Sequence, residues 1–76
     1  MNDVPKVVVN YHIKRLKDKS PDVRLNAIDE LRKIGDADAL EPLQEVYKSD
    51  DNVDVKKAAQ EAGRAIWQSK QSQSEA

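Results

Sequence analysis

Chemistry needs reactive side chains in company, and this chain supplies few. His12 is the one histidine and there is no cysteine beside it, so neither a nucleophile with its base nor a thiolate and imidazole metal set can be assembled. Asp50, Asp51 and Asp54 come nearest to a hard-cation site. The run lacks the glycine and closing glutamate of a calcium loop, and reads better as a polar loop that caps a helix. Gly35 stands alone among polar residues, which removes a phosphate-cradling loop. No catalytic, cofactor-binding or metal-binding residue is therefore expected, and the chain reads as a non-enzyme.

What remains is surface for recognition. Lys6, Lys14, Arg15, Lys17 and Lys19 make a basic N-terminal end that would suit phosphates or an acidic protein. Across the whole chain the net charge is only −1, carried as +3 over residues 1–24, −6 over 25–55 and +2 over 56–76. The acidic middle opposes a long nucleic-acid track, so nucleic acid is an unfavoured partner. Tyr11, Tyr47 and Trp67 are the only aromatics, and such rings dominate the energy of a binding patch when they lie in one. Tyr47 is expected in the core. Trp67 is as well placed to bind as to cap an end.

These residues need elements to hold them. Seventy-six residues make one domain whose core can supply only a few kcal/mol of net stability. Val7-Val8-Val9 is too short an apolar run to enter a membrane or head a secretory signal, so a cytoplasmic protein without membrane insertion is expected.

The main organising feature is a repeat. Asp22-Val23-Arg24-x-x-Ala27 returns as Asp54-Val55-Lys56-x-x-Ala59, a displacement of 32 residues that also carries Arg32 onto Arg64 and Ile34 onto Ile66. Periods of this length mark stacked solenoids, in which one unit is too small to bury its own apolar face.

Ser20 and Pro21 predict a helix start, with Val23, Ala27, Ile28, Leu31 and Ile34 on its buried side and Gly35 ending it in the left-handed conformation. Asp38 is expected to cap the next helix, whose apolar face is Leu40, Leu43, Val46 and Tyr47, and the two should form an antiparallel hairpin. Asp51 or Asn52 then opens a helix to about Gln68, with Val55, Ala59, Ala62, Gly63 and Ile66 inward and Ala58, Ala65 and Trp67 flanking. An earlier helix, with Asp3-Val4-Pro5 at its start, would share Val9, Ile13 and Leu16 on one face. Residues 1–68 thus form one helical domain, and 69–76 is expected to be a disordered polar tail.

Pro21-Asp22-Val23-Arg24-x-x-Ala27-x-x-x-Leu31-x-x-Ile34-Gly35-Asp36-x-x-Ala39-Leu40-x-x-Leu43 resembles a HEAT repeat, most closely the short HEAT-like type found in phycobilisome lyase proteins. The resemblance runs from about Tyr11 to Trp67. It implies an all-α fold, a four-helix solenoid fragment of about one and a half to two repeats. It also implies that Arg24, and Lys56 in the second copy, lie against acidic groups of an adjacent unit. The second copy departs from the pattern at Gly63 and Trp67, as a divergent terminal unit would.

Such folds serve protein–protein interaction, so the expected role is an adaptor or assembly subunit docking on a larger complex or on a copy of itself, a homodimer included. An accessory role around a pigment–protein assembly, or nucleic-acid binding, is the alternative. The second helix of each unit, here the first and third helices, usually lines the concave binding face, which makes Lys14, Lys17, Glu41, Gln44, Glu45 and Lys48 candidates for protein binding, together with Tyr11 and Trp67.

Overall fold

Four helices follow from the apolar spacing: α1 (Lys6–Arg15), α2 (Pro21–Ile34), α3 (Leu40–Ser49) and α4 (Val53–Ser74), with one 3-10 turn, Ala37–Ala39, between α2 and α3. The computed structural model describes the backbone of residues 4–74 and the side chains of residues 4–71. No strand occurs among the described residues, and the architecture is the all-α four-helix fragment that the family resemblance implied.

Each boundary has a local cause. Pro21 occupies the first turn of α2, where its missing N–H has no intrahelical partner to lose. Ser20 precedes it but makes no side-chain cap; instead the Ser20 N–H donates to Asp18 Oδ1 at 2.9 Å. Gly35 ends α2 at φ 73°, a left-handed conformation that a Cβ would strain, and its N–H closes on the Leu31 carbonyl at 2.9 Å. The cap expected at Asp38 belongs to Asp36, whose Oδ1 accepts the Asp38 N–H at 2.8 Å. A 3-10 turn intervenes before α3 begins. Asn52 starts α4 by accepting the Val55 N–H at 3.1 Å. The Asp3 cap expected for α1 lies outside the described residues.

The core joins all four helices. Val9, Leu16, Ala27, Ile28, Leu31, Ala39, Leu43, Val46, Val55, Ala59, Ala62 and Ile66 are buried, with Ile13, Leu25, Ile34, Leu40 and Ala58 partly buried against them. Val23 is only half-buried and Ala65 exposed, whereas Leu25, which was not among the residues expected inward, packs against the core. Tyr47 is 42% exposed, not a core residue: α3 turns Leu43 and Val46 inward and leaves the next position at the edge.

Packing is closest between α3 and α4, then α2 and α4, then α1 and α2. The hairpin expected between α2 and α3 is therefore not the tight pair. The 3-10 turn offsets α3, which lies along α4 instead. Helix α4 also runs through Ser74, six residues beyond the expected end at Gln68, so the segment expected as a loose tail is helical to Ser74; Glu75 and Ala76 lie outside the described residues.

Candidate protein-docking groove

Arg24 is the residue on which the two loops at one end of the stack converge. Its Nη1 donates to the carbonyls of Asp18 at 2.6 Å and Lys19 at 3.2 Å, both just after α1. Its Nη2 donates to Asp50 Oδ1 at 3.3 Å, just after α3. Nε lies 2.9 Å from Asp50 Oδ2 and makes no directed hydrogen bond, so that contact is one of charge. Asp50 in turn accepts the Asn52 N–H at 2.9 Å, which fixes the turn into α4. Both side chains are largely shielded, at 15% and 9% exposure, so water screens the pair less than it would a surface bridge.

Arg24, expected against acidic groups of an adjacent unit, meets Asp50 at the end of α3, the helix that follows its own. Its lysine counterpart, Lys56, is half-buried and makes no ion pair among the described residues.

Between the ends that Arg24 ties together, α1 and α3 stand apart and enclose an open groove of about 710 Å³. Ile13, Leu16, Pro42 and Val46 give it apolar walls, Arg24 and Asp50 close one end, and Lys17, Glu41, Glu45 and Asp51 supply charge. Three of the sequence candidates, Lys17, Glu41 and Glu45, therefore meet. The others are dispersed. Tyr11 and Lys14 lie with Val7 on the outer face of α1, where Tyr11 is 60% and Val7 73% exposed. Gln44 and Trp67 both border a smaller recess of about 370 Å³ between α3 and α4, with Tyr47 and Gly63. Lys48 is exposed and borders none of these depressions.

Asp18 and Asp51 also line the groove and carry no sequence signal for it, because loop residues have no helical period to place them; Ser49, the last residue of α3, joins them. The acidic turn after α3 was visible, and Arg24 was expected to seek an acid. The missing step was to join the two.

The other end is held differently. Lys6 Nζ lies 2.8 Å from Asp36 Oδ2 and 3.0 Å from Asp38 Oδ2, so the start of α1 is pinned to the 3-10 turn. The Lys6 hydrogen bond first, and the Asp38 N–H second, hold the Asp36 carboxyl below the usual carboxylate range. His12 is engaged as well. Arg15 Nη1 lies 3.2 Å from its Nδ1 and, having only N–H groups, must donate there, while the Arg15 guanidinium sits 5.5 Å from the Tyr11 ring centre. The histidine is a member of a surface cluster. Asp50, the first of the acidic loop run, is committed to Arg24 and Asn52, and among the described residues no three groups of His, Cys, Asp or Glu converge on a metal-sized site. No described helix is long and apolar enough to cross a membrane.

No match is found among curated proteins, and none among solved structures. The family model described as HEAT repeats matches residues 5–64, which takes in α1, α2, α3 and the first half of α4. With that match over most of its length and four helices packed around one apolar seam, the chain belongs to the HEAT-repeat family.

Proposed function

We propose that the chain is a non-enzymatic adaptor that docks a protein partner in the groove between α1 and α3. HEAT repeats commonly mediate protein–protein interaction. The observation that carries the reading to this face is the meeting of Lys17, Glu41 and Glu45 over an apolar floor, at a place where the fold leaves two helices unpacked against each other. An interface core of apolar side chains ringed by polar ones is the usual anatomy of a docking surface.

In this reading the molecule is a cytoplasmic assembly subunit with no catalytic chemistry of its own. The resemblance to phycobilisome lyase proteins rests on the repeat motif alone, and activity resides in sites rather than folds. A place beside a pigment–protein complex is one form the adaptor role takes. Nucleic acid is opposed by the carboxylates along the α3 wall.

The test is affinity capture from the native cell with the tagged chain, a groove variant carrying Glu41→Lys and Glu45→Lys, and a control carrying Glu61→Lys on exposed α4 surface. Loss of the captured partner from the groove variant alone supports the assignment. Equal capture by all three moves the docking face elsewhere.

A further inference from the structure

The charge on the groove is one-sided, and that asymmetry says what would fit. Glu41 and Glu45 stand one helical turn apart on α3, and Asp51 continues the same wall past the helix end. None of the three carboxylates has an ion pair or hydrogen bond among the described residues. Like charges four residues apart on a helix repel and weaken it. Asp29 is met by Arg32 and Lys33 on its own helix, Asp36 and Asp38 by Lys6, and Asp50 by Arg24, whereas Glu41, Glu45 and Asp51 stand together along one wall with no cation paired to them. On the facing side the charges that border the groove are Lys17 and Asp18, both just after α1, so no surplus of cations answers the α3 wall. Beneath these charges Leu16 and Val46 are nearly covered, at 3% and 8% exposure, with half-buried Ile13 and Pro42 beside them, so the floor is apolar and the α3 rim anionic.

We propose that the occupant is a cationic amphipathic segment of a partner protein, with aliphatic side chains set on Ile13, Leu16 and Val46 and with Lys or Arg residues turned toward Glu41, Glu45 and Asp51. This rests on the groove being the docking face. A segment of that composition matches both features, because apolar contact supplies affinity while opposed charge selects orientation and speeds encounter. An acidic segment would meet three unpaired carboxylates and gain at most Lys17. A polyanion is disfavoured on the same ground.

The experiment uses the full chain labelled with nitrogen-15 and two synthetic peptides of one amphipathic pattern, the first of leucine and lysine, the second of leucine and glutamate. The lysine peptide is expected to shift the amides of Ile13, Leu16, Glu45 and Val46 saturably, with affinity falling as salt rises. A chain carrying Glu41→Gln and Glu45→Gln, both exposed and expected to melt no lower than wild type because the like-charge pair is removed, should bind it about fivefold or more weakly. Equal binding of the glutamate peptide in the groove, or lysine-peptide binding that ignores the glutamine changes, overturns the cationic occupant while leaving groove docking in place. Shifts confined to the Val7 and Tyr11 face or the Tyr47 and Trp67 recess overturn the proposal and its groove together. Self-association of the chain alone that is abolished by the glutamine changes replaces the partner segment with a second copy.

Discussion

The N-terminal halves of α2 and α4 carry the same pattern and use it to different ends. Val55 is fully buried where Val23 is half-exposed; α4 packs against both α2 and α3, the two most extensive helix contacts of the fold. Leu31 fills the core at 0% exposure, but the equivalent Gly63 borders an open recess in which an added Cβ would meet nothing. Arg24 binds three partners and Lys56 pairs with none among the described residues. Gly35 stops α2, while Trp67 at the matching place lets α4 continue. A repeated motif thus fixes register, and the neighbours decide how much each residue stabilises.

The largest test of that contrast is at the leucine. Leu31→Ala should lower unfolding free energy by about 3 kcal/mol, since it opens a cavity in a fully covered site. Gly63→Ala should act in the opposite sense, raising stability by up to about 1 kcal/mol through helix propensity with no clash. Urea unfolding of the two variants decides the point, and a loss at both positions would break the comparison.

Next in size, Arg24→Ala should cost about 2 kcal/mol, because it leaves a shielded Asp50 carboxylate and two loop carbonyls short of a donor. Lys56→Ala should stay within about 0.5 kcal/mol. Matching thermal melts sharpen the contrast if the difference holds and erase it if the two losses are alike.

A smaller effect belongs to the helix terminator. Gly35→Ala should destabilise by about 1 kcal/mol by forcing a Cβ into φ 73°, although there is room around it. Calorimetry that finds no loss would mean that α2 can end without the left-handed residue.

The least change is expected with pH. Asp36 has a folded-state pKa below its ordinary value of 3.8, so its contribution is present above that value and is lost as pH falls through the lowered one. Lys6→Gln should bring Asp36 back toward ordinary titration, read by NMR of its side-chain carboxyl. Lys6 is 62% exposed at its side chain, so the accompanying change in stability should be slight.

Much of the fold was legible because its signals are local. Pro21 and Gly35 mark both ends of α2, and the period that selects Ala27, Leu31, Leu43, Val46, Ala59 and Ile66 is helical. What escaped depends on competition between near-equals. Asp36 and Asp38 are both good caps, and only the 3-10 turn decides between them. The segment after Gln68 lacks apolar residues, but it also lacks a breaker, and extending an established helix through Lys, Gln and Ser costs little once nucleation is complete.

At the groove, Lys17, Glu41 and Glu45 could be read from helical spacing. Their meeting could not, because it depends on how far α1 and α3 stand apart. The partner of Arg24 was hidden for a related reason: Asp50 lies 26 residues away across a helix and two turns.

One side chain, then, joins the loop after α1 to the loop after α3 and so sets the mouth of the groove. A double-mutant cycle with Arg24→Ala, Asp50→Ala and the combined variant, followed by urea unfolding, tests this most directly. The two losses should be coupled by about 1–2 kcal/mol. Losses that add to within about 0.3 kcal/mol would show that the two residues act independently, and would contradict the account.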